Sequence, residues 1–580
     1  MTLRIAVLAK QVPKFDEMRL GPDGRLERSG LPLEMNPYCR RAVAKGVELA
    51  REAGGSCTVL TLGPPSAEDV LKEAIAWGAD EGLLISDLAF AGSDTLATAQ
   101  ALAAAIRVAE RDSGAPFDLI IAGLNSVDAD TGQVGPQLAE LLDLPLLSGV
   151  RELRVRERRI RARCETDNGH LTARLDLPAL ITAAERLCDP CKVPPEHRAG
   201  PDRIRVLRAA ELGPGPWGPQ ASPTEVGEVR VLRTRRSRAM PEGPIEDQIR
   251  TACAMLAEAF ARTVPPGGTA PAPVSADRVI GILAEPGRGG LTRELLGGAA
   301  RLGGRVVALT AGERADGADE VVELDPAPTA EDFAAGVTDW AKEAGAWAVL
   351  APSTSWGREV AGRLAVRLDA GLAGDVIDLQ VRDGRLVCWK PAFGGHLVAE
   401  ITMRSAVQIA TVRPGVLTPS AHSAREGSAP TRVLRLRPRR RVEVTESVSD
   451  DDPSGLAQAR AVIGVGQGVD PARYAELGPL VSALGAELAA TRKVTDRGWL
   501  PRSRQLGITG RVISPELYVV LGSSGKFNHM VGVRGAGFVI AVNSDPSAPV
   551  FDAADVGIVG DWRAVVPVLA RELAGVWRAG

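Results

Sequence analysis

The chain has 580 residues, 45% hydrophobic and 24% charged, with a formal net charge of −3; by length it holds about four domains, with ample apolar material for several cores. No run of about 18 apolar residues marks a transmembrane helix, and the slightly acidic balance argues against a dominant basic face for nucleic acid. Seven cysteines are an odd, sparse set that suits a reduced protein, and Met1-Thr2-Leu3-Arg4-Ile5 runs straight into a strand pattern without the features of a secretion signal, so a cytoplasmic location is expected.

In chain order, residues 4–9, 57–63 and 118–123 are short continuous apolar runs, the pattern of strands buried on both faces. Residues 41–53 and 69–77 carry helical periodicity between them. Strand and helix alternating at this spacing predict a parallel sheet with crossover helices. The pattern then repeats: 278–284 echoes 4–9, 306–312 echoes 57–63, and 346–351 echoes 118–123. The stretch from Asp143 to Leu153 lines up with Asp369 to Leu379. Alternating segments follow both, at 154–163 and 380–389, and predict antiparallel hairpins. Between the halves, 264–274 is rich in Pro, Gly and Ala and reads as a linker. Residues 201–263 read as irregular until a helix near 246–262. A second irregular stretch, 419–453, precedes a third α/β unit over 459–580. There a strand at 461–463 is followed by a helix from about 472 to 489.

The basic runs 154–163, 230–238 and 432–441 alternate with Val and Leu and are read as solvated strand faces and linkers. Cys188 and Cys191 form a single CxxC. With His197 alone nearby they do not complete a tetrahedral metal site, so no metal is expected and the role of the pair stays open.

In the third unit, Gly464-Val-Gly466-Gln-Gly468 sits where a strand turns into a helix, a place where glycines let the backbone approach a pyrophosphate. Its spacing is not the dinucleotide fingerprint, and a plain tight turn is an equal reading. Further on come Ala490-Thr-Arg-Lys-Val-Thr-Asp-Arg-Gly-Trp-Leu500, Gln505-Leu-Gly-Ile-Thr-Gly-Arg-Val-Ile-Ser-Pro-Glu-Leu-Tyr518, Leu521-Gly-Ser-Ser-Gly-Lys-Phe-Asn-His529, Ala541-Val-Asn-Ser-Asp-Pro546 and Gly557-Ile-Val-Gly-Asp561.

Across about 120 residues this tail resembles the C-terminal flavin domain of the electron transfer flavoprotein alpha subunit. Residues 278–417 resemble the alpha subunit's N-terminal domain, through Thr354-Ser-Trp-Gly-Arg-Glu359, Pro391-Ala-Phe-Gly-Gly395 and Ala410-Thr-Val-Arg-Pro-Gly415. Residues 1–263 resemble the beta subunit, through Lys10-Gln-Val-Pro13, Met35-Asn-Pro37 and Asp128-Ala-Asp-Thr-Gly-Gln-Val-Gly-Pro136. The resemblance implies a beta-then-alpha fusion with features of the bifurcating-type branch. Its parts are a beta-like α/β nucleotide-binding domain (1–200), a C-terminal arm (201–263), a linker (264–277), an alpha-like α/β domain (278–418), a hinge (419–453) and a Rossmann-like FAD domain (454–580). The fold class is therefore α/β, with two pseudo-repeated parallel-sheet domains carrying antiparallel extensions, plus the FAD domain.

The resemblance assigns FAD contacts residue by residue. Arg492 lies over the flavin ring, where a cation stabilises the anionic reduced form. Thr509 hydrogen-bonds N5, and His529 lies near N1 and the C2 carbonyl. Ser524 and Gly525 lie near the phosphates, and Asn543 and Asp561 on the adenosine side. Thr491, Leu506, Gly507, Ile508, Lys526, Phe527, Asn528 and Gln467 complete the set. Gln467 stands where the family has Arg, Ile508 replaces Gln, and Lys526-Phe-Asn528 replaces Ala-Ile-Gln. No catalytic acid, base or nucleophile is implied.

In the first half the resemblance implies a second FAD or an AMP, bound by Ala9, Asn36, Asp94, Gly123, Thr131, Gly132, Gln133, Val134 and Gly135. Asp128 or Asp130 is a plausible helix N-cap beside exposed amides. The run Ser86 to Thr98 resembles the bifurcating members, in which two threonines contact FAD phosphates; here they are Thr95 and Thr98. Asn36-Pro-Tyr-Cys39 is closer to AMP-type members. The partner-docking segment reads Cys188-Asp-Pro-Cys-Lys-Val-Pro-Pro195 and lacks the family's Arg-Tyr. The function implied is electron transfer from a flavoprotein dehydrogenase to a quinone oxidoreductase or similar acceptor, by a monomer of the fused chain. Two alternatives stay open: a bifurcating flavoprotein that oxidises NADH at a second FAD, and a non-redox adenine-nucleotide-binding protein.

Overall fold

The computed structural model describes residues 2–14, 32–231, 236–262, 275, 278–326, 329–392, 397–419, 429–449, 454–507 and 510–579. They form two compact units, one drawn from within 1–231, 271–393 and 397–448, the other from within 232–270 and 449–580. The expected linker 264–277 lies outside the described residues except for Ser275, as do 420–428 and 450–453 of the expected hinge.

The elements run β1 Arg4–Leu8, β2 Gln11–Pro13, β3 Leu33–Met35, α1 Pro37–Glu52, β4 Ser56–Leu62, α2 Glu68–Trp77, β5 Glu81–Ile85, α3 Thr95–Ser113, β6 Leu119–Gly123, α4 Val134–Leu141, β7 Leu146–Arg156, β8 Arg159–Thr166, β9 Gly169–Asp176, β10 Ala179–Ala183, β11 Ile204–Leu207, α5 Ala209–Leu212 and β12 Thr224–Val231. Next come α6 Ile245–Arg262, β13 Val279–Leu283, α7 Gly289–Arg301, β14 Arg305–Thr310, β15 Glu320–Asp325, α8 Ala330–Ala344, β16 Ala348–Pro352, α9 Ser355–Arg367, β17 Gly371–Val376, β18 Asp378–Arg382, β19 Arg385–Ala392, β20 Leu397–Met403, β21 Gln408–Val412, β22 Thr431–Arg435 and β23 Val442–Ser449. Last are α10 Ser454–Gln458, β24 Ala461–Val465, α11 Gly478–Leu484, β25 Glu487–Ala490, α12 Arg492–Asp496, β26 Leu517–Leu521, α13 Phe527–Met530, β27 Phe538–Asn543, β28 Val556–Val559 and α14 Trp562–Ala579.

In the first unit the predicted repeat is a pair of sheets. One has the order β11-β5-β4-β1-β6-β10-β7-β8-β9-β23, the other β17-β21-β16-β13-β14-β15-β22. The central strands are parallel and their side chains are buried on both faces: Ile5, Val7 and Leu119 on one face and Leu8, Leu60 and Ile120 on the other in one sheet, Val349 on one face and Ile280, Ile282 and Leu350 on the other in the second. Each such side chain contributes about 1.5–3 kcal/mol on burial, which is why the continuous apolar runs become central strands. The predicted hairpins are β7–β8–β9 and β18–β19–β20, both antiparallel.

The two sheets exchange strands. β12 follows the first sheet in sequence but pairs with β20 beside the second, in a four-stranded order β12-β20-β19-β18. β22 lies at the edge of the second sheet, and the chain then crosses to place β23 at the edge of β9 in the first. The stretches 201–263 and 419–453, expected to be largely irregular, therefore contain β11, β12, β22 and β23. These strands are exposed on at least one side and interleave Arg, Glu or Thr with Val, Ile or Leu, so they lack the apolar run that marks a central strand. Between the halves, α4 packs on α9, where a Cβ on Gly362 would lie 2.9 Å from Pro136. Arg363 is fully buried there, 3.1 Å from Glu140 and 3.2 Å from Glu359.

The second unit is a five-stranded parallel sheet of order β25-β24-β26-β27-β28. α6 and α14 pack on it through Ile249, Leu256, Leu569 and Leu573, with the Phe260 and Trp577 rings 5.6 Å apart. Arg236 ties the segment before α6 to this sheet by an ion pair to Asp555 at 2.8 Å. The helix expected over 472–489 is instead a 3₁₀ turn at Pro471–Leu477, the short α11, and strand β25. Gly485 ends α11 at φ +57°, a left-handed stop that the apolar count could not register.

Replacing Arg363 by Leu leaves buried Glu359 in the α4–α9 interface without its cation, and Glu140 with Arg367 alone. The expected loss is about 3–5 kcal/mol of stability, read as a lowered urea midpoint; an unchanged midpoint refutes this account of the interface.

Candidate functional site

In the second unit the chain reverses direction across the sheet at β24, with β25 on one side and β26 on the other. The crevice at the carboxyl ends of these strands is where an open parallel sheet takes its ligand. Two glycine loops meet there. The amides of Gly466 and Gly468 bond the carbonyls of Leu521 and Gly522 at 2.9 and 3.0 Å. A Cβ on Gly466 would overlap Gly522, and one on Gly468 would sit 2.9 Å from the Gly522 oxygen. Gly522 and Gly525 adopt φ of +58° and +68°, and a Cβ on Gly525 would run into the Val550 backbone. Side chains are thus excluded from a stretch of bare backbone.

Beside it is a hollow of about 300 Å³ lined by Gly468, Asp470, Arg473, Gly522, Asn543 and Asp561. Asn543 donates to the Ser523 carbonyl at 2.8 Å. Asp561 accepts from the Arg563 amide at 3.0 Å at the start of α14 and pairs with the Arg563 guanidinium. Ser524, Lys526 and Asn528 are exposed.

On the other flank three segments converge. Thr491 is extended and precedes α12, and Arg492, which begins that helix, is half-exposed and pairs with Asp496 at 3.2 Å. The Leu506 amide bonds the Ala490 carbonyl at 3.0 Å. Gly507, at φ +124°, abuts Asn528 and lies where a Cβ would be 3.2 Å from the His529 Cα. His529 is buried and its Nε2 is 2.8 Å from the Tyr518 hydroxyl. Its Nδ1 has no hydrogen-bond partner among the described residues. Burial pushes the imidazole pKa down to about 4; the Leu506 carbonyl, close without meeting hydrogen-bond geometry, pulls slightly the other way. Ile508, Thr509 and the Phe527 side chain lie outside the described residues. Gln467, with its amide oriented to satisfy both groups, accepts from the Arg497 guanidinium at 2.7 Å. Sequence reasoning missed Tyr518, Ser523 and Arg497; a Tyr inside an otherwise aliphatic strand was the available signal, because its buried hydroxyl needs a partner.

A larger cavity, about 520 Å³, lies in the first unit at the ends of β1 and β6 and the starts of α3 and α4. Ala9, Asn36, Asp94, Thr95, Thr98, Gly123, Thr131, Gly132, Gln133, Val134 and Gly135 all line it. Asp94 caps α3 by accepting from the Ala97 amide at 3.0 Å. The Thr95 hydroxyl donates to Gln133 Oε1 at 2.6 Å. Asp128 and Asp130 are not N-caps: α4 begins after Gln133, and neither aspartate borders the cavity. Asp128 pairs with Lys10 at 2.8 Å, which holds its carboxyl below the usual range despite burial. Asp130 sits at φ +49° and accepts from Asn125. Leu372, Ala373, Gly374, Lys390 and Ile401 of the second half complete the wall. Lys390 donates to the Ala129 carbonyl at 2.7 Å, and burial lowers its pKa against the pull of Asp375 and Asp130.

Cys191 lies 4.0 Å from the Met35 sulfur, and burial pushes its thiol up to about 12; Cys188 donates to the Arg41 carbonyl at 3.4 Å. Both are free thiols.

The chain matches two family models. The electron transfer flavoprotein domain matches twice, over residues 23–212 and 283–438, and the electron transfer flavoprotein FAD-binding domain matches residues 455–534. Similar proteins include the electron transfer flavoprotein subunit beta of Thermoanaerobacterium thermosaccharolyticum, 34% identical over 43% of this chain and 95% of that protein. The subunit alpha of the same organism is 33% identical over 42% of this chain and 76% of its own length. The caffeyl-CoA reductase-Etf complex subunit CarD of Acetobacterium woodii is 35% identical over 39% of this chain and 86% of its own length. This chain belongs to the electron transfer flavoprotein family, and FAD is the cofactor of its C-terminal domain. The bare glycine backbone and the unpartnered His529 Nδ1 fit such a group.

Gly525→Ala forces a side chain into a left-handed position against Val550. It is expected to weaken FAD retention at least about tenfold, or about 1.4 kcal/mol, measured by flavin fluorescence on titrating the stripped protein. Because buried His529 stays neutral while the unfolded ring protonates near 6.5, stability is present above that pH and declines as pH falls from 6.5 towards 4. The loss is on the order of 3 kcal/mol. His529→Gln should flatten this acid limb in pH-dependent unfolding of the stripped protein.

Proposed function

We propose that this electron transfer flavoprotein carries electrons from a flavoprotein dehydrogenase to a quinone oxidoreductase or similar acceptor, with FAD seated between the glycine loops and the Arg492–His529 flank of the second unit. The observation that supports this reading best is the convergence of residues 490–492, 505–507 and 528–529 beside backbone that tolerates no side chain. FAD supplies the redox chemistry when bound. Gly466, Gly468, Gly522 and Gly525 keep side chains out of the path of its phosphates, their own amides being engaged with the Leu521, Gly522 and Val542 carbonyls and the Ser523 hydroxyl. Arg492 brings a cation to the ring, favouring added negative charge. The Tyr518 hydroxyl and His529 Nε2 are hydrogen-bonded at 2.8 Å, and in the tautomer where the tyrosine donates, the neutral ring carries its proton on Nδ1, the nitrogen that a flavin acceptor would use.

For the first-unit cavity we favour a second FAD over AMP. Thr95 and Thr98 both face it from the first turn of α3, and its volume lies within the range of sites for sizeable ligands. This keeps a second reading in view, in which the chain oxidises NADH at that FAD. One fused chain supplies every residue of both sites, so a monomer suffices. No helix among the described residues is long and apolar enough to cross a membrane, and with seven free thiols a cytoplasmic setting is our reading.

Cofactor extraction should yield two FAD per chain; one FAD with one AMP would replace the second-site assignment, and a colourless protein that cannot be reconstituted would overturn the whole reading. Arg492→Ala is expected to lower the flavin midpoint potential by roughly 30–60 mV, about 1.4–3 kcal/mol for two electrons, in a spectroelectrochemical titration. Rapid bleaching by NADH in stopped flow would select the NADH-oxidising reading over the simple carrier.

A further inference from the structure

The outer face of the β7–β8–β9 hairpin carries charge that the fold does not require. Strand alternation sends Leu153, Val155, Ile160, Ala162, Ala173 and Leu175 into the core. The opposite face presents Arg154, Arg156, Arg159, Arg161 and Arg174, all exposed, around a shallow hollow of about 420 Å³ that also includes Glu157. Register places Arg161 directly opposite Arg154 on one side and Arg174 on the other. Side chains so paired stand about 5 Å apart at Cβ, and like charges at that spacing repel. Arg159 is partly neutralised by Asp176 at 2.8 Å. Arg154, Arg156, Arg161 and Arg174 have no ion-pair or hydrogen-bond partner among the described residues.

The repeated architecture supplies an internal control. In the second half the hairpin turn has the same left-handed pair, Asp383 and Gly384 for Glu157 and Arg158. At the register of Arg154 and Arg161 that half carries Gln380 opposite Val387, with Val387 buried. At the register of Arg156 and Arg159 it does carry Arg382 opposite Arg385, so the hairpin turn keeps its two arginines while the pair at Arg154 and Arg161 is dispensable to the hairpin.

We propose that this face is a docking surface for a partner protein presenting a compact acidic patch. Arginine forks pair bidentately with carboxylates, and a cationic face of this kind steers encounter and sets orientation. The chain's own charge favours a compact partner over a long polyanion. The five arginines and Glu157 sum to +4 within a chain of net −3, so all other residues together carry −7. An extended nucleic acid or a broad anionic membrane would meet that acidic remainder; a small acidic patch would not. This inference is independent of which cofactor fills either site.

The test uses the full chain and a fluorescent octaglutamate peptide as the probe, beside a 20-base-pair DNA duplex and phosphatidylglycerol vesicles. The wild type should bind the peptide with an affinity that falls steeply with salt. The triple variant Arg154→Gln/Arg161→Gln/Arg174→Gln should weaken it at least tenfold. A control that neutralises Arg111, Arg250 and Arg571, exposed elsewhere, should leave it unchanged. Relief of like-charge repulsion should leave the melting temperature of the triple variant equal or higher. No peptide binding, equal loss in the control, or a lowered melting temperature overturns the proposal. So does binding of DNA or vesicles that is as tight as that of the peptide and is lost in the same variant.

Discussion

The cavity of the first unit exists because two half-sheets are interlocked around the α4–α9 contact. Arg363 lies between Glu140 and Glu359 there, and close helix approach is possible because position 362 has no side chain. The strand exchange reinforces it: β12 completes the second half's antiparallel layer and β23 extends the first half's edge. The crossing segment is itself pinned, with Arg439 paired to Asp143 and to Glu331. The buried pairs of Arg363 add little net stability but penalise any arrangement that separates them. Their consequence is register between halves, and register is what brings Leu372, Gly374 and Lys390 to the wall of a cavity whose residues from Leu8 to Gly135 lie more than 200 positions earlier.

In the second unit the controlling constraint is backbone proximity. The loops after β24 and β26 touch through glycines, and Gly464 lies beneath the Tyr518 ring. Tyr518 in turn fixes the His529 ring, whose burial keeps it neutral. A ring held in one orientation, with one nitrogen engaged and the other free, offers a ligand a directional contact at no further ordering cost. Arg492 differs: it is half-exposed and pairs with Asp496 at helical spacing, a contact that solvent screens.

What the sequence revealed follows from what each element buries. Central strands such as β1, β6, β13 and β16 are legible because both faces are apolar over five residues. The edge strands β12, β22 and β23 escaped because a one-sided, charged strand is locally indistinguishable from a linker. The stretch after β24 misled because apolar count suggested one helix while Gly478, Pro479 and Gly485 divide it. Most cavity residues of the first half could be placed from motif and strand ends. Asp128 was misassigned because an aspartate before a helix suits a cap equally well as an ion pair, and only the fold brings Lys10 to it. Lys390 carried no local signal, since its proximity is created by the interface between halves.

The two halves also differ where their equivalence would predict a second cavity. Position 10 corresponds to 285 in the repeat, as the matching amide bonds Ala9 to Leu60 and Ala284 to Leu309 confirm. The first half has a lysine there and the second has Glu285, which accepts from the Thr354 hydroxyl at 2.7 Å. Burial and the charge of Asp167 push the Glu285 carboxyl up to about 7. Asp167, reaching from the β8–β9 turn, accepts from the Ser355 amide at 2.7 Å, and Thr354 caps Gly357 at 3.0 Å. The start of α9 thus has its amides met by the chain's own oxygens. The start of α4 has no side-chain cap and borders open space. Because a helix start favours negative charge, an anionic ligand finds a vacant place in the first half and a place already taken by protein carboxylate and hydroxyl in the second. The duplicated fold thereby treats its two equivalent helix starts differently, and the carboxylate that meets the second one, Asp167, belongs to the opposite half.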